Sequence, residues 1–210
     1  MNAEETIVEG VRGYFKEVRD ILDRLPAERL AQVICRLDEA RWNGQTVFTC
    51  GNGGSAATAI HFACDLAKGA LAPGKPPIKA LPLCESISLL TAWANDASYS
   101  EVFAQRLLPW VKPGDVLVAI SGSGNSANVL NAVRLAGEVG ATTIAFTGFQ
   151  GGPLARMVDA CITVPSDCME QIEDVHLLLC HVIAIRLRTF PAQVDADSGG
   201  LVAARAAADR

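Results

Sequence analysis

The feature that most constrains the fold is a regular alternation of short apolar segments and helical patterns, which runs from residue 46 to residue 189. Five segments are rich in β-branched and aliphatic residues and are typical of short strands: 46–50, 78–83, 115–120, 142–147 and 160–164. Helical spacing lies between and after them, in segments 54–69, 86–94, 99–109, 126–139, 152–158 and 169–189. Strands that alternate with helices predict a parallel sheet with crossover connections, and therefore a doubly wound α/β domain.

Two amphipathic helices are predicted ahead of this domain. The first has helically spaced apolar residues from Ile7 to Leu25, and Pro26 ends it and opens the second, which closes at Asn43-Gly44. The sequence thus predicts three regions: an N-terminal helical extension (1–44), a main domain (45–190) and a peripheral tail (191–210). We expect the extension to cover a core or a subunit interface, and we assign no function to the tail, which has little apolar bulk.

Composition narrows the classes of function. The 210 residues include 23 Asp and Glu against 18 Lys and Arg, a net charge of −5, whereas proteins that neutralise nucleic-acid phosphates are normally basic. No apolar run approaches the ~20 residues needed to cross a bilayer, and residues 1–5 are acidic, unlike a signal peptide. The seven cysteines form no C-x-x-C pair, which favours reduced structural thiols. We expect a cytoplasmic protein without nucleic-acid or membrane partners.

Two loops rich in glycine and serine follow the first and third predicted strands and lead into helices. Their sequences are Gly-Asn-Gly-Gly-Ser at 51–55 and Ser-Gly-Ser-Gly-Asn-Ser at 121–126. Each offers unobstructed backbone N–H groups, small hydroxyls and the positive end of a helix dipole, which together attract phosphate. Because ligands of doubly wound sheets bind beyond the carboxyl ends of the strands, the pair indicates a ligand with a phosphate at one end and hydroxyls along its length.

A dinucleotide site is the alternative interpretation, since both loops also fit the loose G-x-G-x-x-A fingerprint. Glu85 stands near the place of the acidic ribose ligand, but it lies about ten residues beyond the usual ~20-residue offset. A dinucleotide fold also has no need of the second, serine-rich loop. A P-loop is excluded, because neither loop ends in Gly-Lys-Ser/Thr.

Four polar groups on two helices are candidates for chemistry. His61 and Asp65 are four residues apart on the helix after the first loop and share a face. Glu173 and His181 lie eight residues apart on the last helix, about 80° around its axis. That helix is apolar on nearly every side and is expected to be buried, so its polar groups should be paired or metal-bound. One imidazole and one carboxylate from each helix suit zinc or a similar divalent ion. His176 points away from His181 and is interpreted as structural or interfacial.

An ordered series of motifs over residues ~45 to ~188 resembles the sugar isomerase (SIS) domain family, and within it the bacterial phosphoheptose isomerases. The series consists of Cys-Gly-Asn-Gly-Gly-Ser (50–55), His-Phe-Ala (61–63), Asn-Asp (95–96), Ile-Ser-x-Ser-Gly-Asn-Ser-Ala-Asn-Val (120–129), Phe-Thr-Gly (146–148) and Ile-x-x-Val-His (172–176) with His181. The resemblance implies a five-stranded parallel sheet of the flavodoxin-like type and a helical extension used in assembly. It also implies a homotetramer whose active sites involve neighbouring subunits.

The resemblance also implies roles for individual residues. The zinc-binding positions of the family correspond to His61, Asp65, Glu173 and His181, and the second and fourth serve as the acid/base pair, here Asp65 and His181. The phosphate would be held by Ser121, Gly122, Ser123 and Ser126, and the sugar by Asn52, Gly53, Gly54, Ser55, Asn95, Asp96 and Glu173. Three of these residues depart from the family pattern: Asp65 replaces Glu, Glu173 replaces Gln, and Gly122 replaces a hydroxyl residue.

The resulting expectation is an aldose–ketose isomerase of a sugar phosphate. The resemblance favours conversion of sedoheptulose 7-phosphate to D-glycero-D-manno-heptose 7-phosphate through a cis-enediol(ate), with Asp65 as base, or Glu173 in its stead. Two alternatives stay open. One is a non-catalytic SIS-domain protein that binds the replication initiator, although such relatives lack the proton-transferring groups that Asp65 and His181 retain. The other is an isomerase or binder of a different phosphosugar.

Overall fold

The computed structural model describes residues 2–189, and its centre is a sheet of five parallel strands. These are β1 (Thr46–Gly51), β2 (Lys79–Pro82), β3 (Val116–Ser121), β4 (Thr142–Thr147) and β5 (Ala160–Thr163), in the order β2-β1-β3-β4-β5. The predicted doubly wound α/β fold is therefore confirmed, and the order is the flavodoxin-like one. Each observed strand begins and ends within one residue of its predicted limits.

Helices cover both faces of the sheet, as the crossover connections require. They are α1 (Ala3–Leu22), α2 (Ala27–Trp42), α3 (Gly53–Cys64), α4 (Ile87–Asp96), α5 (Val102–Leu107), α6 (Ala127–Val139), α7 (Leu154–Met157) and α8 (Met169–Thr189). Two predicted helices are less regular than expected: α3 continues as a π-helical turn (Asp65–Gly69), and a 3₁₀ turn (Tyr99–Glu101) precedes α5. Strand β3 lies mid-sheet with all six residues buried, because helices cover it on both sides.

The predicted N-terminal hairpin is present as α1 and α2. Asn2 and Glu5 form a reciprocal capping box at the start of α1, whereas Pro26 occupies the N-cap position of α2 without a side-chain hydrogen bond. Helix α2 packs on the core, whereas in α1 only Ile21 is buried. A long apolar stripe of α1 is thus left uncovered within one chain. The boundary between residues 44 and 45 remains a prediction, and the expected peripheral tail (191–210) lies outside the described residues.

Helix α8 was expected to be buried on nearly every side, and this expectation is wrong for a single chain. Leu177 and Leu178 are each 36% exposed and Ile185 is 46% exposed, and His181 is exposed on the same helix. The opposite side of α8 packs into the core, with Ile172, Val175, Leu179, Ile183 and Leu187 buried. His176 belongs to that buried side, as predicted: its Nε2 lies 3.0 Å from the carbonyl oxygen of Thr147, and burial lowers its pKa from 6.5 to about 4.

The position of the two glycine-serine loops follows from the topology. Strand β1 leads outward to β2 on one side, and β3 lies on its other side, so the chain reverses its direction of winding between them. Gly51 at the end of β1 pairs in register with Ile120 near the end of β3. The loops that follow these two strands therefore lie side by side at the carboxyl edge, where ligands of such sheets bind.

Two further findings concern the sequence-based exclusions. The seven cysteines are free thiols, and Cys50, Cys84 and Cys180 are buried. Burial raises the pKa of each of these three thiols, so they are held in the uncharged form. Among the helices formed by residues 2–189, none combines the length and apolar character that a bilayer-spanning segment requires.

Candidate active site

A cavity of about 270 Å³ lies between the two glycine-serine loops and the start of α8. It is lined by Asn52, Gly53, Gly54, Ser55, Ile120, Ser121, Gly122, Ser123, Ser126, Met169 and Glu173. Helices α3, α6 and α8 all begin at residues of this lining or directly after them. Their unpaired N–H groups and positive dipole ends favour an anion. Among the described lining residues there is no lysine or arginine, so backbone groups and hydroxyls are the donors that these residues offer a phosphate.

Asn52 and Asn128 join the two loops. Asn52 Nδ2 donates to Asn128 Oδ1 at 2.8 Å, and Asn128 Nδ2 donates to Asn52 Oδ1 at 2.9 Å. The Tyr99 hydroxyl donates a further bond to Asn52 Oδ1 at 2.9 Å. Asn52 lies at the start of α3 and Asn128 in the first turn of α6, so this amide pair fixes the distance between the two helix N-termini. Asn52 Oδ1 and Asn128 Oδ1 both accept hydrogen bonds within this network. The side chain of Asn52 therefore holds the two loops in position.

Glu173 reaches across from α8 to the first loop. Its half-buried carboxylate lies directly over Gly54, so closely that a Cβ at that position would collide with it. Glycine at position 54 is what allows this approach of the two helices. The carboxylate lies at the N-terminal end of α3, whose dipole stabilises a negative charge. An acceptor group is thus present in a cavity whose other polar groups are mainly donors.

A second group of polar side chains lies further along the same two helices. His61 Nε2 and His181 Nε2 are 2.9 Å apart, and Asp65 Oδ2 lies 3.3 Å from the first and 3.8 Å from the second. The imidazole rings meet edge to face, with an interplanar angle of 74°. Both histidines are exposed within one chain and Asp65 is half-buried, so the cluster is open to solvent on one side.

The cavity and the cluster of His61, Asp65 and His181 lie at two different heights along helices α3 and α8. Gly54 meets Glu173 at the first level, and His61 meets His181 at the second, so α3 and α8 run side by side in the same direction. The two levels are separated by seven residues of α3 and eight of α8, which corresponds to about 10–12 Å at the helical rise. A ligand anchored at the loops therefore needs an extended chain to reach the cluster.

This arrangement agrees with the comparisons with known proteins. A model of the SIS domain family matches residues 13–148 of the chain. The chain belongs to the SIS domain family. A phosphoheptose isomerase of Mycobacterium tuberculosis is 43% identical over 182 residues, which are 87% of this chain and 91% of that protein. A probable phosphoheptose isomerase of Thermoplasma acidophilum is 37% identical over 183 residues, with 87% and 96% of the two chains covered.

Solved structures of phosphoheptose isomerases share the architecture of this SIS domain. The enzyme of Neisseria gonorrhoeae superposes with a TM-score of 0.80 at 34% identity, covering 86% of this chain and 98% of that one. The enzyme of Francisella tularensis gives a TM-score of 0.81 at 29% identity, covering 90% and 99%. The predicted resemblance is therefore confirmed, both for the SIS family and for the phosphoheptose isomerases within it.

Most of the predicted substrate residues of this SIS domain come together, but two do not. Nine of the eleven line the cavity, whereas Asn95 and Asp96 are exposed at the end of α4 and bond to each other at 2.8 Å. Sequence reasoning missed Met169 and Asn128. The signals were available: Met169 precedes Glu173 by one helical turn, and Asn128 follows the cap of α6 by two residues.

The predicted metal set is met in part by the described residues. His61, Asp65 and His181 offer three ligand atoms that all lie within 4.8 Å of one another, and Glu173 does not belong to this group. Asp65 Oδ2 is buried and has no hydrogen-bond partner among residues 2–189, which leaves it with a free lone pair beside two imidazoles. Two imidazole nitrogens and a carboxylate oxygen fit a divalent transition metal with a fourth position open.

Proposed function

We propose that this chain is an aldose–ketose isomerase that converts sedoheptulose 7-phosphate to D-glycero-D-manno-heptose 7-phosphate. The observation that carries the proposal is the pairing of an anion-binding cavity with a His–Asp–His cluster on the same two helices. The relatives of similar length named phosphoheptose isomerase support the same activity. No observation on the described residues favours the initiator-binding alternative, and both proton-transferring groups, Asp65 and His181, are retained.

The phosphate would be held at the loops. Ser121, Ser123 and Ser126 provide hydroxyls, and the first turns of α3 and α6 provide N–H groups. From there the sugar chain would run along the groove between α3 and α8. The separation of about 10–12 Å between the loops and the cluster is comparable to the length of an extended seven-carbon phosphate. A shorter sugar anchored in the same way would leave its carbonyl carbon short of the cluster.

The reaction itself requires proton movement between neighbouring carbons. A base removes the proton from the carbon next to the carbonyl, which gives a cis-enediol(ate), and the proton returns to the adjacent carbon. We assign Asp65 as that base and His181 as the group that moves protons between the two oxygens. Their atoms are 3.8 Å apart, so both can contact the same end of the substrate. Glu173 is the alternative base, because its carboxylate lies in the cavity itself.

A divalent ion, in our proposal zinc, fits the donor set of His61, Asp65 and His181. When bound it would polarise the substrate oxygens and stabilise the negative charge that develops on them. The three side chains would hold it with one position free for substrate. Glu173 was predicted as a fourth ligand. In this arrangement it is better placed to accept hydrogen bonds from the sugar hydroxyls.

We further propose that the protein is a homotetramer with sites completed by neighbouring subunits. Helix α1 exposes Ile7, Val11 and Phe15 at successive helical turns, with Ile7 65% and Phe15 63% exposed. Helix α8 exposes Leu177 and Ile185 beside His181. Contiguous apolar surface of this kind is typical of a subunit interface. Burial of the α8 surface would enclose the cluster, and a neighbouring chain would bring groups toward Asn95 and Asp96.

Incubation with sedoheptulose 7-phosphate tests the function directly. We expect aldose formation that requires the divalent ion and that exceeds turnover of pentose and hexose phosphates. A panel of C5 to C7 sugar phosphates, each assayed with and without added zinc, makes the comparison. Absence of turnover of the heptose under both conditions would overturn the isomerase proposal, and a clear preference for hexoses would favour the different-phosphosugar alternative.

A further inference from the structure

Met169 contributes an apolar wall to a cavity that is otherwise built of donors and small residues. It is the first residue of α8, one helical turn before Glu173, and the two side chains therefore face the same side of the helix. Its side chain lies on the second loop, over Gly122, and remains 38% exposed. Apart from Ile120 at the end of β3, the other lining residues are polar or glycine.

Gly122 and Met169 depend on each other. A Cβ built at position 122 would lie 2.6 Å from Met169 Sδ and 3.3 Å from its Cε, but 3.6 Å from the next nearest atom, on Ile172. Gly122 is not among the glycines with positive φ, so its backbone conformation is open to other residues. The thioether is thus what opposes a side chain at position 122. Conversely, the missing side chain allows the thioether to lie on the loop.

The chemistry of this wall differs from that of the loops opposite. The loops offer N–H and hydroxyl donors to a phosphate, whereas the sulfur and methyl group of Met169 offer none and favour apolar contact. The part of a phosphosugar that suits such a wall is the methylene carbon that carries the phosphate. We propose that Met169 is a specificity-determining residue that packs on this methylene and favours an alkyl phosphate over free phosphate, and that Gly122 is required for its position. This inference rests on the proposed function.

Methyl phosphate and inorganic phosphate test the contact, because they differ by one methyl group. Binding of each is measured by calorimetry to the wild type, to Met169→Ala and to Met157→Ala. Met157 is the matched control, since it is 37% exposed on α7 and does not line the cavity. We expect Met169→Ala to lower the affinity for methyl phosphate about fourfold, which is the loss for one methyl-sized contact. The affinity for inorganic phosphate should stay unchanged. Met157→Ala should change neither.

The coupling to Gly122 is tested by a double-mutant cycle. Gly122→Ala should lower the affinity for methyl phosphate, because the added methyl group displaces the thioether. The double variant Gly122→Ala/Met169→Ala should bind methyl phosphate no more weakly than either single variant. Gly137→Ala is the control, because Gly137 lies on α6 with open space around it. Losses that multiply in the double variant would overturn the coupling, and thermal melting of each variant verifies that it folds.

The outcomes separate this inference from the proposed function. Equal losses for both probes in Met169→Ala, or no loss for either, would overturn the role of Met169 while leaving the phosphate site intact. Failure of the wild type to bind either probe would overturn the proposed phosphosugar site and the role of Met169 with it. A wild type that binds both probes with the expected discrimination but does not turn over a heptose phosphate would overturn only the isomerase proposal.

Discussion

The side chains of Asn52 and Asn128 form a reciprocal amide pair across the topological switch point of the sheet, with bonds of 2.8 and 2.9 Å. One residue belongs to the loop after β1 and the other to the helix after β3. The pair therefore ties together the two elements that we propose to bind the phosphate. Because the Tyr99 hydroxyl also bonds Asn52, the amide has little freedom to turn. The proposed phosphate site is therefore held rigidly by this pairing.

Asn128→Ala should lower both stability and catalytic efficiency. Three hydrogen bonds are lost, two with Asn52 and one that the Val129 N–H donates to Asn128 Oδ1, and the Asn52 amide is left partly unpaired. The loss costs about 2 kcal/mol of unfolding free energy. Because the loops are no longer held at a fixed distance, kcat/KM should fall about tenfold. Asn131→Ala is the control, since its amide also lies on α6 but bonds Ser100 and Glu101, away from the cavity. Equal losses of kcat/KM in the two variants would contradict the positioning role.

Metal binding should depend on two of the three histidines. His61→Ala and His181→Ala are each expected to weaken zinc binding at least about 100-fold, because each removes one imidazole donor. His176→Gln should leave the affinity unchanged, since His176 is buried against Thr147 on the other side of α8. Calorimetric titration of the chelator-treated protein with zinc measures the three affinities. Unchanged binding in His61→Ala or His181→Ala would contradict the site.

Asp65→Asn and Glu173→Gln distinguish the two candidate bases. If Asp65 is the base, kcat of Asp65→Asn should fall by a factor of about 10²–10⁴, whereas Glu173→Gln should change mainly KM. Asp65 is also a proposed metal ligand, so zinc content has to be measured in the same samples. Loss of kcat in Glu173→Gln alone would assign the base to α8 and contradict our assignment.

Burial of His176 predicts a pH dependence of stability. Its pKa is lowered from 6.5 to about 4 in the folded chain, so below pH 6.5 the unfolded chain binds a proton that the folded chain does not. The stability that depends on the neutral imidazole is complete above pH 6.5 and is lost progressively down to about pH 4, by on the order of 3 kcal/mol. Urea denaturation of the wild type and His176→Gln between these pH values measures it. The difference in unfolding free energy between the wild type and His176→Gln should shrink as the pH falls. A difference that stays constant with pH would contradict the prediction.

Phe15→Glu should break the proposed tetramer into smaller species. The substitution places a charge in the exposed apolar stripe of α1, where burial in an interface would leave it unpaired. Trp110→Glu is the control, because Trp110 is exposed to a similar degree, 61%, but lies outside α1 and α8. Light scattering after size exclusion gives the masses. A wild type that is monomeric would contradict the tetramer, as would equal masses for wild type and Phe15→Glu.

Individual elements show how much of the fold could be predicted from the sequence. Strand β4 and helix α8 begin and end where periodicity predicts, because their patterns are long and bounded by clear turn residues. The π-helical turn after α3 was not predicted, since nothing in the spacing around Asp65 distinguishes it from a continuing α-helix. The burial of α8 was predicted wrongly for a related reason: an apolar composition does not show whether a side of a helix meets the same chain or another one.

The sequence by itself determined the strand and helix order, the two glycine-serine loops and the residue types available for catalysis, because these depend on local periodicity and turn chemistry. Only the tertiary structure decided which of those residues meet. It placed His61 beside His181, 120 positions away, Glu173 over Gly54 and Met169 over Gly122. Such contacts depend on how closely two helices or a helix and a loop approach each other, and that distance is set by packing over the whole layer and not by any local pattern.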